Sequence, residues 1–239
     1  MISIITPSVR PELLEVVKKC LERQTYDDFE WIVVSPFEYK PAIWVEDPPM
    51  REGDFYRLNG AWNKGLTKAK GDLFVSIVDG LWFPPDTLER LTQHFKDDPK
   101  SCVTCVGNQY DEERFGKPEH LVWQDPRKRD DLGSYYEVSP TEMELCVATI
   151  PMSGIYEVGG FDEKFDKFAA LSEKELCFRL DKLGYKFYID QTIEYRAIQH
   201  PRLSTEWDKK YQEGCVYFDQ CLLEISQGKR LQLDFVNIS

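Results

Sequence analysis

Three short polar stretches each close an apolar run: Thr6-Pro7-Ser8, Ser35-Pro36 and Asp79-Gly80. Continuous apolar runs suit parallel strands covered on both faces, and ligands of such sheets sit beyond the carboxyl ends of the strands. The three stretches are therefore expected to meet in one crevice, where three hydroxyls and a carboxylate could hold a charged ligand. Asp79-Gly80 is equally a common turn pair. A second acidic station is Ser172-Glu173-Lys174-Glu175. Ser172 with Glu175 fits a capping box, and Glu173 in the first turn suits the helix dipole. That reading serves a structural helix start and a positioned base alike. His200 before Pro201 fits a strand end whose ring is satisfied by a backbone carbonyl, and Arg57 fits a phosphate contact or a solvated helix face.

Several chemistries are disfavoured. No GxGxxG follows the first strand and no GxxxxGK[ST] occurs, which argues against a dinucleotide dehydrogenase or a P-loop enzyme. Cys102 and Cys105 form a CxxC, but it lies in a strand-like run that sends the two thiols to opposite faces, and no second CxxC completes a zinc site. The 239 residues carry a net charge of −12, which repels phosphate backbones and anionic lipid. Nucleic acid is accordingly an unlikely partner class. The opening Met1-Ile2-Ser3-Ile4 runs straight into a strand, so the expectation is no signal peptide, reduced thiols and a cytoplasmic setting. No apolar stretch reaches the roughly 20 residues of a membrane span.

The elements that must position these residues follow from periodicity. Strands are predicted at 2–6, 31–34, 73–78, 102–106, near 146–150, at 186–189 and at 193–198. Helices are predicted beginning at Pro11 (with apolar Leu13, Leu14, Val17 and Leu21), over about 57–70, from Asp86 (with Glu89 as a capping box) to about Phe95, over about 172–183 and over about 205–227. Between Asn108 and Glu144 periodicity is lost. A loop of that length is usually functional, and its Tyr110, Trp123, Tyr135 and Tyr136 suit either carbohydrate or a folded lid.

With these residues in view, the chain resembles the family 2 glycosyltransferases of the GT-A fold. Ile2–Ser8 with Gln24-Thr25-Tyr26 and Glu30–Val34 looks like their amino-terminal half. Asn63-Lys64-Gly65-Leu66, Ala69–Asp72, Val78-Asp79 with Pro84–Leu88, Gly159–Glu163, and Leu171–Leu180 with Gly184-Tyr185-Lys186 follow in the family's order. The resemblance implies a single α/β domain over 1–203 with a mostly parallel central sheet flanked by helices. A carboxy-terminal helix and tail (204–239) are expected to pack on it.

The implied reaction moves a sugar from a nucleotide diphosphate, UDP-sugars favoured, to a carbohydrate or other hydroxyl acceptor, with inversion and divalent-metal assistance. Asp79 and His200 are the implied metal ligands, Mn²⁺ preferred to Mg²⁺. Glu173 is the implied base, with Glu175 a lesser candidate. Thr6, Pro7, Ser35, Arg57, Asn63 and Asp79 are the implied donor contacts, and Arg202 and the segment after it could close over the donor. Two positions depart from the family: Leu81 stands where a second aspartate is usual, and Ser35 where an aspartate often holds the base or ribose. Trp82 and Phe83 either stack on a sugar or pack under the Pro84-Pro85 turn. The departures motivate an alternative, a catalytically degenerate nucleotide- or glycan-binding module. A nucleotidyltransferase is disfavoured, because no Gly-rich basic loop follows the first strand.

Overall fold

The computed structural model describes residues 1–47, 49–111, 117–198 and 206–234. Strand β1 (Ile2–Pro7) leads into helix α1 (Pro11–Leu21), whose proline sits in the first turn, where no N–H is required. Strand β2 (Phe29–Ser35) lies parallel to β1, and the edge strand β3 (Ile43–Glu46) lies parallel to β2. Helix α2 (Leu58–Leu66) precedes β4 (Leu73–Ile77), which pairs parallel with the other side of β1. Then come β5 (Leu81–Trp82), α3 (Thr87–Asp97), β6 (Ser101–Tyr110), β7 (Leu121–Gln124), β8 (Tyr135–Val138), β9 (Val147–Pro151), α4 (Met152–Glu157), α5 (Ser172–Lys182), β10 (Lys186–Ile198) and α6 (Trp207–Ser226).

The strands form one sheet in the order β3-β2-β1-β4-β9-β6-β10-β5, with β7 on β6 and β8 on β10. Ile5, Ile32 and Phe74 pack on one face against Leu66 of α2, Ile155 of α4 and Leu180 of α5. Ile4, Trp31 and Val75 pack on the other against Val17 of α1 and Leu91 of α3. Each fully buried side chain of this kind contributes roughly 1.5–3 kcal/mol, so the sheet is held from both sides. Cys102 belongs to the first core and Cys105 to the second, as the strand period requires.

The structure differs from the sequence reading in several places. The sheet is parallel only from β3 to β4 and between β6 and β10; β9 runs antiparallel between β4 and β6. Period marks a strand but carries no direction. The stretch from Asn108 to Glu144 is not one loop, since it holds the end of β6 together with β7 and β8. All four β7 side chains are exposed, so no buried face left an alternating pattern to read. The strands expected at 186–189 and 193–198 are one strand, interrupted by a bulge between Asp190 and Glu194. Helix α2 ends at Leu66 and gives way to turns closed by Lys68 and Ala69.

Neither expected capping box forms. Asp86 makes no side-chain cap bond, and Glu89 instead accepts from the Thr25 hydroxyl at 2.7 Å. Before α5 the cap position is Leu171, in the left-handed region at φ 80°, and Glu175 is drawn inward by arginines. Helix α2 is capped from a distance. Asp166, in a 3-10 turn at Glu163–Lys167, accepts from the Asn59 and Gly60 N–H groups at 2.9 and 3.1 Å. These bonds satisfy donors that would otherwise be orphaned. Burial nevertheless pushes the Asp166 carboxyl up to about 6, against the pull of those bonds and of Arg57.

Helix α6 packs on α5, and the chain beyond it continues into the interior. Arg230 bonds Glu175 at 2.8 Å and pairs with Asp162, while Tyr217 donates to Asp162 at 2.6 Å. Leu233 N–H donates to the Val158 carbonyl at 3.0 Å. That close passage needs Gly159, at φ 75°, because a Cβ there would strike the Leu233 backbone. Among the described residues no helix is long and apolar enough to cross a membrane.

Candidate active site

The parallel half of the sheet brings its strand ends side by side. Ser8 N–H donates to the Val34 carbonyl at 2.9 Å, and Asp47 N–H donates to the Ser35 carbonyl at 3.0 Å. At the end of β4, Val78 N–H donates to the Cys146 carbonyl at 3.1 Å, which draws the start of β9 alongside Asp79. One rim thus runs from Asp47 past Ser35, Ser8 and Asp79 to Cys146. Gly80, at φ 73°, lets the chain turn sharply after Asp79, and its N–H donates to the Leu13 carbonyl at 3.2 Å.

The Asp79 carboxylate is buried and fully engaged. Ser8 Oγ donates to Oδ2 at 2.7 Å; Arg10 donates from Nε to Oδ2 at 3.2 Å and from Nη2 to Oδ1 at 2.6 Å. This is the planar fork-on-carboxylate pairing that arginine makes well. The Arg10 side chain remains 34% exposed while that of Asp79 is 7% exposed. Arg10 gives no signal in the sequence beyond its place in the β1–α1 connection, and only the acid across the crevice reveals it.

Glu173 opens α5 on the far side of Cys146. Burial raises its carboxyl, the charge of Glu144 raises it further, and Lys174, with Nζ at 3.8 Å, pulls it down. Its charge also raises the Tyr56 hydroxyl and the Cys146 thiol, which places both groups around it; burial is the larger cause in each case. Its nearest hydroxyl is that of Ser172, a long 3.4 Å away. Leu171 holds left-handed backbone immediately before this turn, the kind of local strain that gathers at sites where geometry matters. Glu175, two residues on, has no exposed surface and is bonded by both Arg179 and Arg230, leaving it no room as a base.

The other expected donor contacts are distributed unevenly. Pro7 and Ser35 lie at the rim, Ser35 with its hydroxyl bonded to the Phe37 carbonyl. Thr6 is buried and accepts from the Trp31 indole at 3.0 Å, so it supports the rim from beneath. Asn63 spends its amide on the Phe161 backbone in both directions at 2.9 Å and on Glu163 at 3.1 Å, joining α2 to the 159–163 turn. Arg57 is buried, donates to the Pro49 carbonyl at 2.9 Å and leaves Nε without a partner. Its charge lowers Asp47, whose carboxyl is raised overall by burial and has one oxygen without a partner.

Phe83 packs in the core, and Trp82 lies under the Arg196 guanidinium at 4.8 Å. Tyr135 is stacked between His94 at 4.2 Å and Tyr188 at 4.8 Å, and Tyr136 donates to the Arg127 carbonyl; Trp123 stands exposed on β7. His200 and Arg202 lie outside the described residues. Two grooves, of about 470 and 490 Å³, lie beside the 159–163 turn and beside Lys70 and Tyr156; neither includes Asp79 or Glu173.

Among the described residues the donor set by itself does not make a divalent-ion site. Both Asp79 oxygens are occupied, and Leu81, one turn of the chain further, is an apolar side chain only 3% exposed. Among the described residues no group of three or more His, Cys, Asp or Glu side chains is placed to hold a metal.

Comparison with known proteins bears on the fold. The structure is similar to a crystal structure of GalNAc-T7 with UDP, GalNAc and Mn²⁺ (15% identity, TM-score 0.63), over 84% of this chain and 44% of that one. It is also similar to the mannosyltransferase PcManGT from Pyrobaculum calidifontis in complex with GDP-Man and Mn²⁺ (14% identity, TM-score 0.62), over 94% of this chain and 68% of that one. Residues 51–148 match the family described as Glycosyl transferase family 2. The chain has the GT-A fold, and the family match covers less than half of it. No curated protein matches it, and it spans less than half the length of the GalNAc-T7 chain.

Proposed function

We propose that this chain transfers a sugar from a nucleotide-diphosphate donor to an acceptor hydroxyl with inversion, and that Glu173 is the general base. The observation that carries the reading is Glu173 itself. It is a mostly buried carboxylate with a raised pKa and weak hydrogen bonding, in the first turn of α5, near enough to Cys146 at the start of β9 for its charge to raise that thiol. A base works best when its pKa approaches the operating pH, and perturbed groups in a cleft are where such chemistry concentrates. Glu173 takes the acceptor proton as the acceptor oxygen attacks the anomeric carbon. The bond from that carbon to the diphosphate breaks on the opposite side.

The rim formed by Pro7, Ser35 and Asp79 is the proposed donor shelf, with Thr6 and Asn63 as its supports and Arg57 beside it. UDP and GDP-Man in the two solved relatives support a nucleotide donor of one of these kinds. A bound divalent ion would supply Lewis-acid stabilisation of the leaving diphosphate. The form of the reaction that uses one, Mn²⁺ before Mg²⁺, rests on His200 and on a carboxylate that Arg10 occupies, so no step here runs through it. Leu81 and Ser35 favour a second reading, a binding module without turnover.

A panel of UDP- and GDP-sugars, assayed for transfer and for binding, tests both. The expected result is product from the natural chain and a loss of about 10²–10⁴-fold in turnover for Glu173→Gln, with donor binding unchanged. Undiminished turnover by Glu173→Gln would refute the base, and binding without turnover by the natural chain would leave the binding module.

A further inference from the structure

An acidic strand end cannot hold a diphosphate unaided, because like charges repel across the crevice and a cation must stand between them. Two kinds of cation could do so here: a divalent ion or a side chain. Magnesium is commonly held by one or two carboxylates together with waters and substrate phosphates, but the one carboxylate the described residues offer here already has both oxygens bonded by Ser8 and Arg10, next to an apolar Leu81.

Arg10 has the geometry that the ion lacks. It leaves the β1–α1 connection, at the point where a parallel sheet meets its ligand. Asp79 grips the guanidinium edge through Nε and Nη2 and so fixes the plane of the group. Of the five N–H donors of an arginine, those two are spent. Among the described residues none accepts a hydrogen bond from Nη1, and the side chain is one-third exposed. An arginine oriented this way meets phosphate oxygens with a pair of parallel bonds. Ser8 completes the arrangement by bonding Asp79 at 2.7 Å and accepting from the Arg10 N–H at 3.0 Å.

We propose that Arg10, held on Asp79, is the diphosphate-binding cation of this site, so that nucleoside diphosphates bind without a divalent ion. The proposal rests on the donor reading above, and Asp79 becomes a positioning residue rather than a metal ligand. The test is calorimetry of the full 239-residue chain with UDP and with GDP, at fixed ionic strength, once in EDTA and once in Mn²⁺. One of the two nucleotides is expected to bind with the same Kd in both buffers, within about twofold. Arg10→Ala is expected to weaken it by about ten- to a hundred-fold, the scale of a lost charge-assisted contact, and Arg10→Lys by less. Should Arg10→Ala fail to fold around an unpaired Asp79, Arg10→Gln, neutral but still able to bond that carboxylate, gives the same readout. Binding that appears only with Mn²⁺ overturns the role of Arg10 and leaves the transferase reading standing. Arg10→Ala or Arg10→Gln binding as tightly as the natural chain overturns it too. No binding of either nucleotide in either buffer overturns both.

Discussion

Glu173 and Glu175 stand two positions apart in the first turn of α5, yet the protein treats them in opposite ways. Glu175 is sealed in the interior and bonded by Arg179 and Arg230, and Arg179 also donates to the Val158 and Gly160 carbonyls at 2.6 and 2.8 Å. Glu173 faces Glu144 and has a long bond from the Ser172 hydroxyl and a lysine at 3.8 Å. On a helix, positions two apart point to different faces, so one turn can serve two tasks. The inner face spends its carboxylate on cohesion. The outer face keeps one in an unfavourable setting, where an ionised group costs stability and is available for proton transfer. A run of acids in a sequence is therefore not one feature, and its members divide according to the arginines that reach them.

The largest expected effect comes from breaking the inner side. Arg179→Ala should destabilise the fold by about 3–5 kcal/mol, because Glu175 is left buried beside a single remaining partner. Chemical denaturation measures it, and a change under about 1 kcal/mol would show that the network is not the brace described. Glu173→Gln should do the reverse for stability. A carboxyl with a raised folded-state pKa favours folding while protonated and loses that advantage as pH rises through the folded value. The neutral glutamine should therefore melt at the same temperature as the natural chain or higher at pH 8, with the gap narrowing toward pH 5. Scanning calorimetry at the two pH values reads the sign.

The smallest effect sharpens the outer side. Glu144→Gln removes a charge that raises Glu173, so the acid limb of kcat/KM should move to lower pH. An unmoved limb would mean that a different group titrates there.

Much of this was legible in the chain. The three strand ends converge because apolar runs with polar terminators leave few other topologies, and Glu173 was visible as the acid opening a helix. What was hidden depended on partners distant in sequence. The pairing of Arg10 with Asp79 spans 69 residues, and the cap of α2 by Asp166 spans 107; no local pattern encodes either. Strand β7 escaped because it is held by backbone bonds to β6 rather than by a buried face, and β8 because its four residues bury one side chain, Tyr136, against Val106 and Ile189, too little to set a period. Asn63, which the resemblance offers as a contact near the diphosphate, spends its amide on the 161–163 turn, partners about 100 positions away that no local pattern encodes.

The reach of Arg230 into the interior also bears on how the polypeptide matures during translation. Glu175 waits for a guanidinium 55 residues downstream, and at about 5–20 residues per second the ribosome takes roughly 3–11 s to deliver it. Until then α5 carries an acid with only Arg179 beside it and can dock only loosely on the sheet. The emergence of Arg230 supplies the second guanidinium and completes the network around Glu175.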